Sequence, residues 1–166
     1  MSSTKRFSYV SMLAALAILL NLTESMFIPP IQFGIRFGIA NIVALIAIDR
    51  FGLKEMFIVN LMRVLIGNLI RGTIFSSIFW ISGGGVLLSS LFLVLLTRSK
   101  SWVIFKSIIS SIAHSTGQVL VVMILYNQVS MLSFIPVLLI TSIPTGYLTG
   151  IIAKEVLKRV KVGGKI

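Results

Sequence analysis

Within one long apolar stretch the sequence places Asn60, Arg63, Gly67, Asn68, Arg71 and Gly72. At 100° per residue, Asn60, Arg63, Gly67 and Arg71 share about 80° of one helix face, with Asn68 beside it. Arg63 and Arg71 then stand about 12 Å apart along that face. A guanidinium at the centre of a bilayer costs on the order of 3 kcal/mol or more, so something must compensate it. Two chemistries fit. One is a structural arginine satisfied by helix carbonyls or a buried carboxylate; the other is the cationic wall of a ligand pocket.

Further polar residues punctuate the other apolar segments. Glu24, Arg36, Asn41, Asn68 and Arg71 all fall toward one end of their segments, where their convergence would make a pocket with both acidic and cationic groups. The same residues could instead form a Glu24–arginine bridge that pins helices together. The fifth segment carries Ser107, Ser110, Ser111, His114 and Gln118 at helical spacing. Such a stripe serves interhelical hydrogen bonding or lines an apolar cavity with a few directional groups. One histidine and no cysteine do not make a transition-metal set, so no metal site is expected.

Catalytic motifs are missing. Gly163-Gly164-Lys165 has no helix after it and cannot form a P-loop. Glu24, Asp49, Glu55 and Glu155 are scattered, with no paired carboxylates for acid–base work or for Mg²⁺. No nucleophile elbow is present. No catalytic residue and no cofactor are assigned, and binding or passage of a solute is the expected activity.

The elements that must position these residues are membrane helices. Of 166 residues 57% are hydrophobic and 11% charged, with a mean hydropathy of +1.06; this composition excludes an ordinary soluble domain and a disordered chain. Residues 1–166 read as a single all-α integral membrane domain, with spans at about 7–28, 38–49, 54–73, 77–96, 102–125 and 132–153. The second is short enough to cross only if its neighbours extend it or protein shields it. Gly83-Gly84-Gly85 and Ser89-Ser90 permit close helix approach in the fourth, and Pro136 and Pro144 are expected to interrupt the sixth. Residues 29–37 read as a loop or re-entrant segment. Lys5 and Arg6 precede an apolar run too long for a cleavable signal.

The net charge of +11 is mostly topology. Lys5, Arg6, Arg50, Lys54, Arg98, Lys100, Lys106, Lys154, Lys158, Arg159, Lys161 and Lys165 fall on one side of a six-span bundle, with Arg36 and Arg71 opposite. The positive-inside rule therefore makes both termini cytoplasmic and removes any need for a nucleic-acid partner.

The run Gly34-Ile-Arg36-Phe-Gly38-Ile-Ala40-Asn41, followed by Phe51-Gly52-Leu-Lys54-Glu55, resembles a known bacterial family. Arg63-Val-Leu-Ile-Gly67-Asn68, Ser82-Gly83-Gly84-Gly85 and Ala113-His114-Ser-Thr-Gly117-Gln118 agree with it in order and spacing. Together they identify the chain as similar to the Gx transporter family, whose members are also labelled heptaprenyl diphosphate synthase component I. That family is similar to the substrate-binding S components of energy-coupling factor transporters, six-helix membrane proteins with cytoplasmic termini.

The resemblance implies capture of a vitamin-like or quinone-precursor molecule from outside a bacterial cell membrane. It also implies a transmembrane coupling subunit and two ATPase subunits as partners. Docking in such proteins uses small residues spaced four apart on the first helix; Ser11 and Ala15, with Ala14 nearby, keep such spacing without a strict Ala-xxx-Ala. The expected substrate-binding set is Glu24, Arg36, Asn41, Arg63, Asn68, Arg71, His114 and Gln118, facing a small and possibly anionic solute. An alternative is a non-catalytic membrane accessory of prenyl diphosphate or menaquinone synthesis. A third is a structural membrane partner of a redox complex. Prenyl chain elongation uses aspartate-rich motifs, which this sequence lacks.

Overall fold

The computed structural model describes residues 3–27, 39–97 and 102–159. They form six α-helices: α1 Ser3–Phe27, α2 Asn41–Arg50, α3 Leu53–Ile70, α4 Ser77–Thr97, α5 Val103–Tyr126 and α6 Ile135–Arg159. A 3-10 segment, Val129–Phe134, leads into α6.

The bundle is built around α2. Every residue from Asn41 to Ile48 is buried, and all five other helices pack against it. A helix of 10 residues is about 15 Å long, half the thickness of a bilayer core. It is protein, not lipid, that satisfies its surroundings. Val43, Leu45 and Ala47 meet Val10 and Ala17 of α1, Met56 and Val59 of α3, Leu93 of α4 and Ala153 of α6 in one apolar cluster.

The outer surface is inverted relative to a soluble protein. Leu61, Leu65 and Leu69 of α3 are exposed, as are Leu87 and Leu91 of α4 and Ile140 and Leu148 of α6. Asn60, Arg63, Ser89, Ser90, His114 and Gln118 are buried. Leucine outside and polar groups inside is the arrangement a hydrocarbon solvent selects. Among the described residues four stretches are long and apolar enough to cross a membrane: Thr4–Met26, Ser77–Thr97, Val103–Tyr126 and Val129–Arg159. The chain is therefore a membrane-type helical protein. Of the six expected spans, these four qualify by length and composition among the described residues. α2 is too short, and α3 carries Lys54, Glu55 and Arg63 within its 18 residues.

Two turns fix the path between the short helices. Phe51-Gly52 reverses the chain after α2, with Gly52 at φ 108°, a conformation open to glycine at little cost. α3 ends in a Schellman motif: the Gly72 amide donates to Leu69 O at 3.0 Å and the Thr73 amide to Asn68 O at 2.9 Å, with Gly72 at φ 66°.

Helix seams follow small and hydroxyl residues. α4 and α5 meet backbone to backbone, where a Cβ on Gly117 would stand 2.6 Å from the Gly84 carbonyl oxygen. Across α5 and α6 a ladder pairs Ser107 with Thr149 (2.9 Å), Ser111 with Thr145 (3.4 Å) and Ser115 with Ser142 (2.7 Å). Contrary to the expected interruption, α6 runs through Pro144, and Pro136 lies in its first turn, where a missing N–H is tolerated. Burial against the α5 ladder on both sides of Pro144 holds the helix together.

At the end where α1, α3 and α5 begin and α2 and α6 finish, opposite charges tie the bundle. Arg6 pairs with Glu55 at 2.6 Å and donates to Phe51 O, and Lys106 pairs with Asp49 at 3.2 Å. The cations at this basic end include Lys5, Arg50, Lys54, Lys154, Lys158 and Arg159.

Candidate functional site

Arg63 is at the heart of the polar interior, only 2% exposed. It is carried there by the α3 face that also buries Met56, Val59, Asn60, Val64, Gly67 and Asn68. Its Nη2 donates to Asn41 Oδ1 at 3.0 Å, joining α3 to the first residue of α2. Glu24 of α1, 4% exposed, attracts the guanidinium electrostatically. The same carboxylate accepts a hydrogen bond from the Ile39 amide at 3.2 Å, just ahead of α2, where the partial positive charge of a helix N-terminus favours an anion. Three helices are thus held by one acid, one amide and one guanidinium.

The pairing leaves polar atoms unspent. Among the described residues Arg63 Nε, Asn41 Nδ2 and Asn21 Oδ1 are sealed from solvent and make no hydrogen bond. Asn21 sits three residues before Glu24 on the same face of α1, against Gly67 of α3; a Cβ on that glycine would be 3.2 Å from its oxygen. Asn60, three residues before Arg63, donates to Ser90 Oγ of α4 at 2.8 Å and keeps its own oxygen unshared. A buried amide or guanidinium atom without a partner costs about 1–3 kcal/mol, more when charged. Several in one interior mark a place that a bound group or ordered water can complete.

Two other expected residues have local duties. Asn68 accepts from Arg71 Nη2 at 2.9 Å and from Thr73 Oγ1 at 3.0 Å, and donates to Val64 O at 2.7 Å. Its side chain is spent on the end of α3. Arg71 retains Nε and Nη1 without partners among the described residues. The structure therefore places Arg71 at the rim, tethered through Asn68, not on the same contacts as Arg63.

His114 and Gln118 belong to the seam between α5 and α4. Both are buried, and both press on Gly85: a Cβ there would stand 2.8 Å from His114 Cε1 and 2.8 Å from Gln118 Cγ. Gly85 is what makes room for them. The polar stripe of α5 divides, with Ser107, Ser111 and Ser115 joined to α6 and Ser110, His114 and Gln118 left on the adjoining side. Ser110 Oγ is buried without a partner among the described residues.

Arg36 lies outside the described residues, as does the whole expected loop at 29–37. On α1, Ser11 and Ala15 are exposed on one face, one turn apart. Ala14 is not with them; it is buried in the cluster around α2. The four-residue spacing fixed the exposed pair, whereas the 100° step from Ala15 turns Ala14 inward.

Asn21, Asn60 and Ser110 were absent from the expected binding set. Their signal was available as position: each precedes Glu24, Arg63 or His114 by three or four residues and so shares its face.

Among known proteins, a family model described as heptaprenyl diphosphate synthase component I matches residues 13–156. No curated protein and no solved structure matches the chain.

Proposed function

This chain belongs to the heptaprenyl diphosphate synthase component I family, and we propose that it serves as a non-catalytic solute-capture protein of the bacterial cell membrane. The observation that carries the reading is Arg63: a buried guanidinium engaged by Asn41 and Glu24, yet with Nε unspent beside an unspent Asn41 amide. A guanidinium with a free edge suits a carboxylate, phosphate or carbonyl group of a small molecule. His114 and Gln118 would add directional hydrogen bonds, and Arg36 and Arg71 would draw an anionic group to the entrance. With the basic end cytoplasmic by the positive-inside rule, both termini are inside and this interior lies toward the outer half of the bilayer.

In this reading the protein resembles the S component of an energy-coupling factor transporter, taking up a vitamin-like or quinone-precursor molecule. The sequence has no nucleotide-binding motif, so a transmembrane coupling subunit and two ATPases would supply the work. The exposed Ser11/Ala15 face of α1 is where close helix docking is sterically open. The family description favours a second reading, an accessory subunit of prenyl diphosphate or menaquinone synthesis. Lacking aspartate-rich motifs, the chain would handle a precursor there and leave bond formation to a partner.

Native mass spectrometry of gently purified protein separates the two. A retained small-molecule mass that is lost on mild denaturation supports capture. A co-purifying prenyltransferase with no small ligand overturns capture and supports the accessory role.

A further inference from the structure

A groove runs along the outside of the bundle between α1, α2 and α6, remote from the Arg63 interior in its chemistry. Its volume is about 370 Å³, and its walls come from residues such as Met12, Leu16 and Leu20 of α1, Ile42 and Ile46 of α2 and Ile152 of α6. At the basic end it finishes on Tyr9, Phe51 and Arg50.

Arg50 is the odd member of that wall. The nearby cations Arg6 and Lys106 spend their charges on Glu55 and Asp49. Arg50 makes no hydrogen bond or ion pair among the described residues, and its Nε is buried without a partner. The groove follows α1 from Tyr9 to Leu20, roughly 16 Å of helix. A trough of this length and volume accommodates a hydrocarbon chain.

We propose that this groove holds one acyl chain of an anionic phospholipid from the surrounding bilayer, with its phosphate on Arg50. A trough lined by apolar atoms and bordered at its basic end by Arg50, which has no ion-pair partner among the described residues, matches an amphiphile with a hydrocarbon tail and a negative head. Its position at the basic end of the bundle puts Arg50 among the cations that anionic headgroups attract. The site is separate from the solute interior and stands or falls apart from it.

The test is native mass spectrometry of the detergent-purified chain titrated with phosphatidylglycerol or with phosphatidylcholine of the same acyl chains. The wild-type protein retains one phosphatidylglycerol per chain, about fivefold more strongly than phosphatidylcholine, the preference one surface cation confers. Arg50→Gln removes the headgroup preference. Leu16→Trp, at a half-exposed position on the groove wall, lowers retention of both lipids while thermal unfolding stays near wild type. Arg63→Met leaves phosphatidylglycerol retention intact, which keeps this result distinct from loss of the solute site. Equal retention of the two headgroups by wild type, or no response to Leu16→Trp, overturns the assignment. Displacement of phosphatidylglycerol by farnesyl phosphate at lower concentration also overturns it, in favour of an isoprenyl occupant.

Discussion

Replacing Arg63 by methionine, alone and together with Glu24→Gln, distinguishes a ligand-binding guanidinium from a structural ion pair. The single change removes the Nη2–Asn41 bond and the favourable field that the guanidinium exerts at the Glu24 carboxylate. Removing the charged partner of a buried hydrogen bond costs about 1.5–3 kcal/mol. For a chain of this size that lowers the unfolding midpoint by roughly 5–10 °C. Neutralising Glu24 as well removes the charge that had lost the guanidinium's field, while the amide introduced at that position still offers an oxygen to the Ile39 N–H, so part of that loss returns. Ligand binding behaves differently. A charge-assisted hydrogen bond to the solute contributes about 1.5–3 kcal/mol, so both variants bind roughly 10- to 150-fold more weakly. The readouts are thermal unfolding in detergent and titration of whichever small molecule co-purifies. Stability partly restored in the double variant with affinity still lost supports the pocket. If the double variant recovered wild-type affinity along with its stability, the ligand role of Arg63 would be refuted.

Three further outcomes follow from the packing and the charge distribution. Gly117→Ala places a methyl group 2.6 Å from the Gly84 carbonyl oxygen, where backbone must yield; the α4–α5 seam opens and thermal unfolding shows a loss of about 1–3 kcal/mol. Lys106→Met strands Asp49 near the basic end and costs about 1.5–3 kcal/mol by the same measurement, with solute affinity unchanged because neither residue reaches the Arg63 interior. The native chain has no cysteine, so single cysteines at Thr4 and Ser130 report sidedness without background. In intact cells an impermeant maleimide labels Ser130→Cys and spares Thr4→Cys; the reverse pattern would invert the topology.

Much of the helical framework was legible in the residues. Long apolar runs bounded by Pro29-Pro30, Gly52 and Gly72 gave α1, α3, α4 and α5 to within a few residues, because helix length in lipid is set by thickness and backbone satisfaction. The buried face of α3 was equally readable, since a 100° step places Asn60, Arg63 and Gly67 together whatever surrounds them. α6 was harder. Pro144 argued for a break, and only the hydroxyl ladder with α5 and the packed small residues beside it explain why the helix continues.

The sequence by itself therefore determined that this is a helical membrane protein, that its cations gather at one end, and that one arginine had to be compensated inside. Those are properties of composition and of a single helix period. Tertiary structure decided the partners. It surrounded the half-length α2 on every side, gave Arg63 to Asn41 and Glu24, kept Asn68 for its own turn, and divided the α5 stripe between two seams. A helical period names the face a side chain occupies. Which neighbour meets that face depends on how six helices share one core, and that is settled only when they pack.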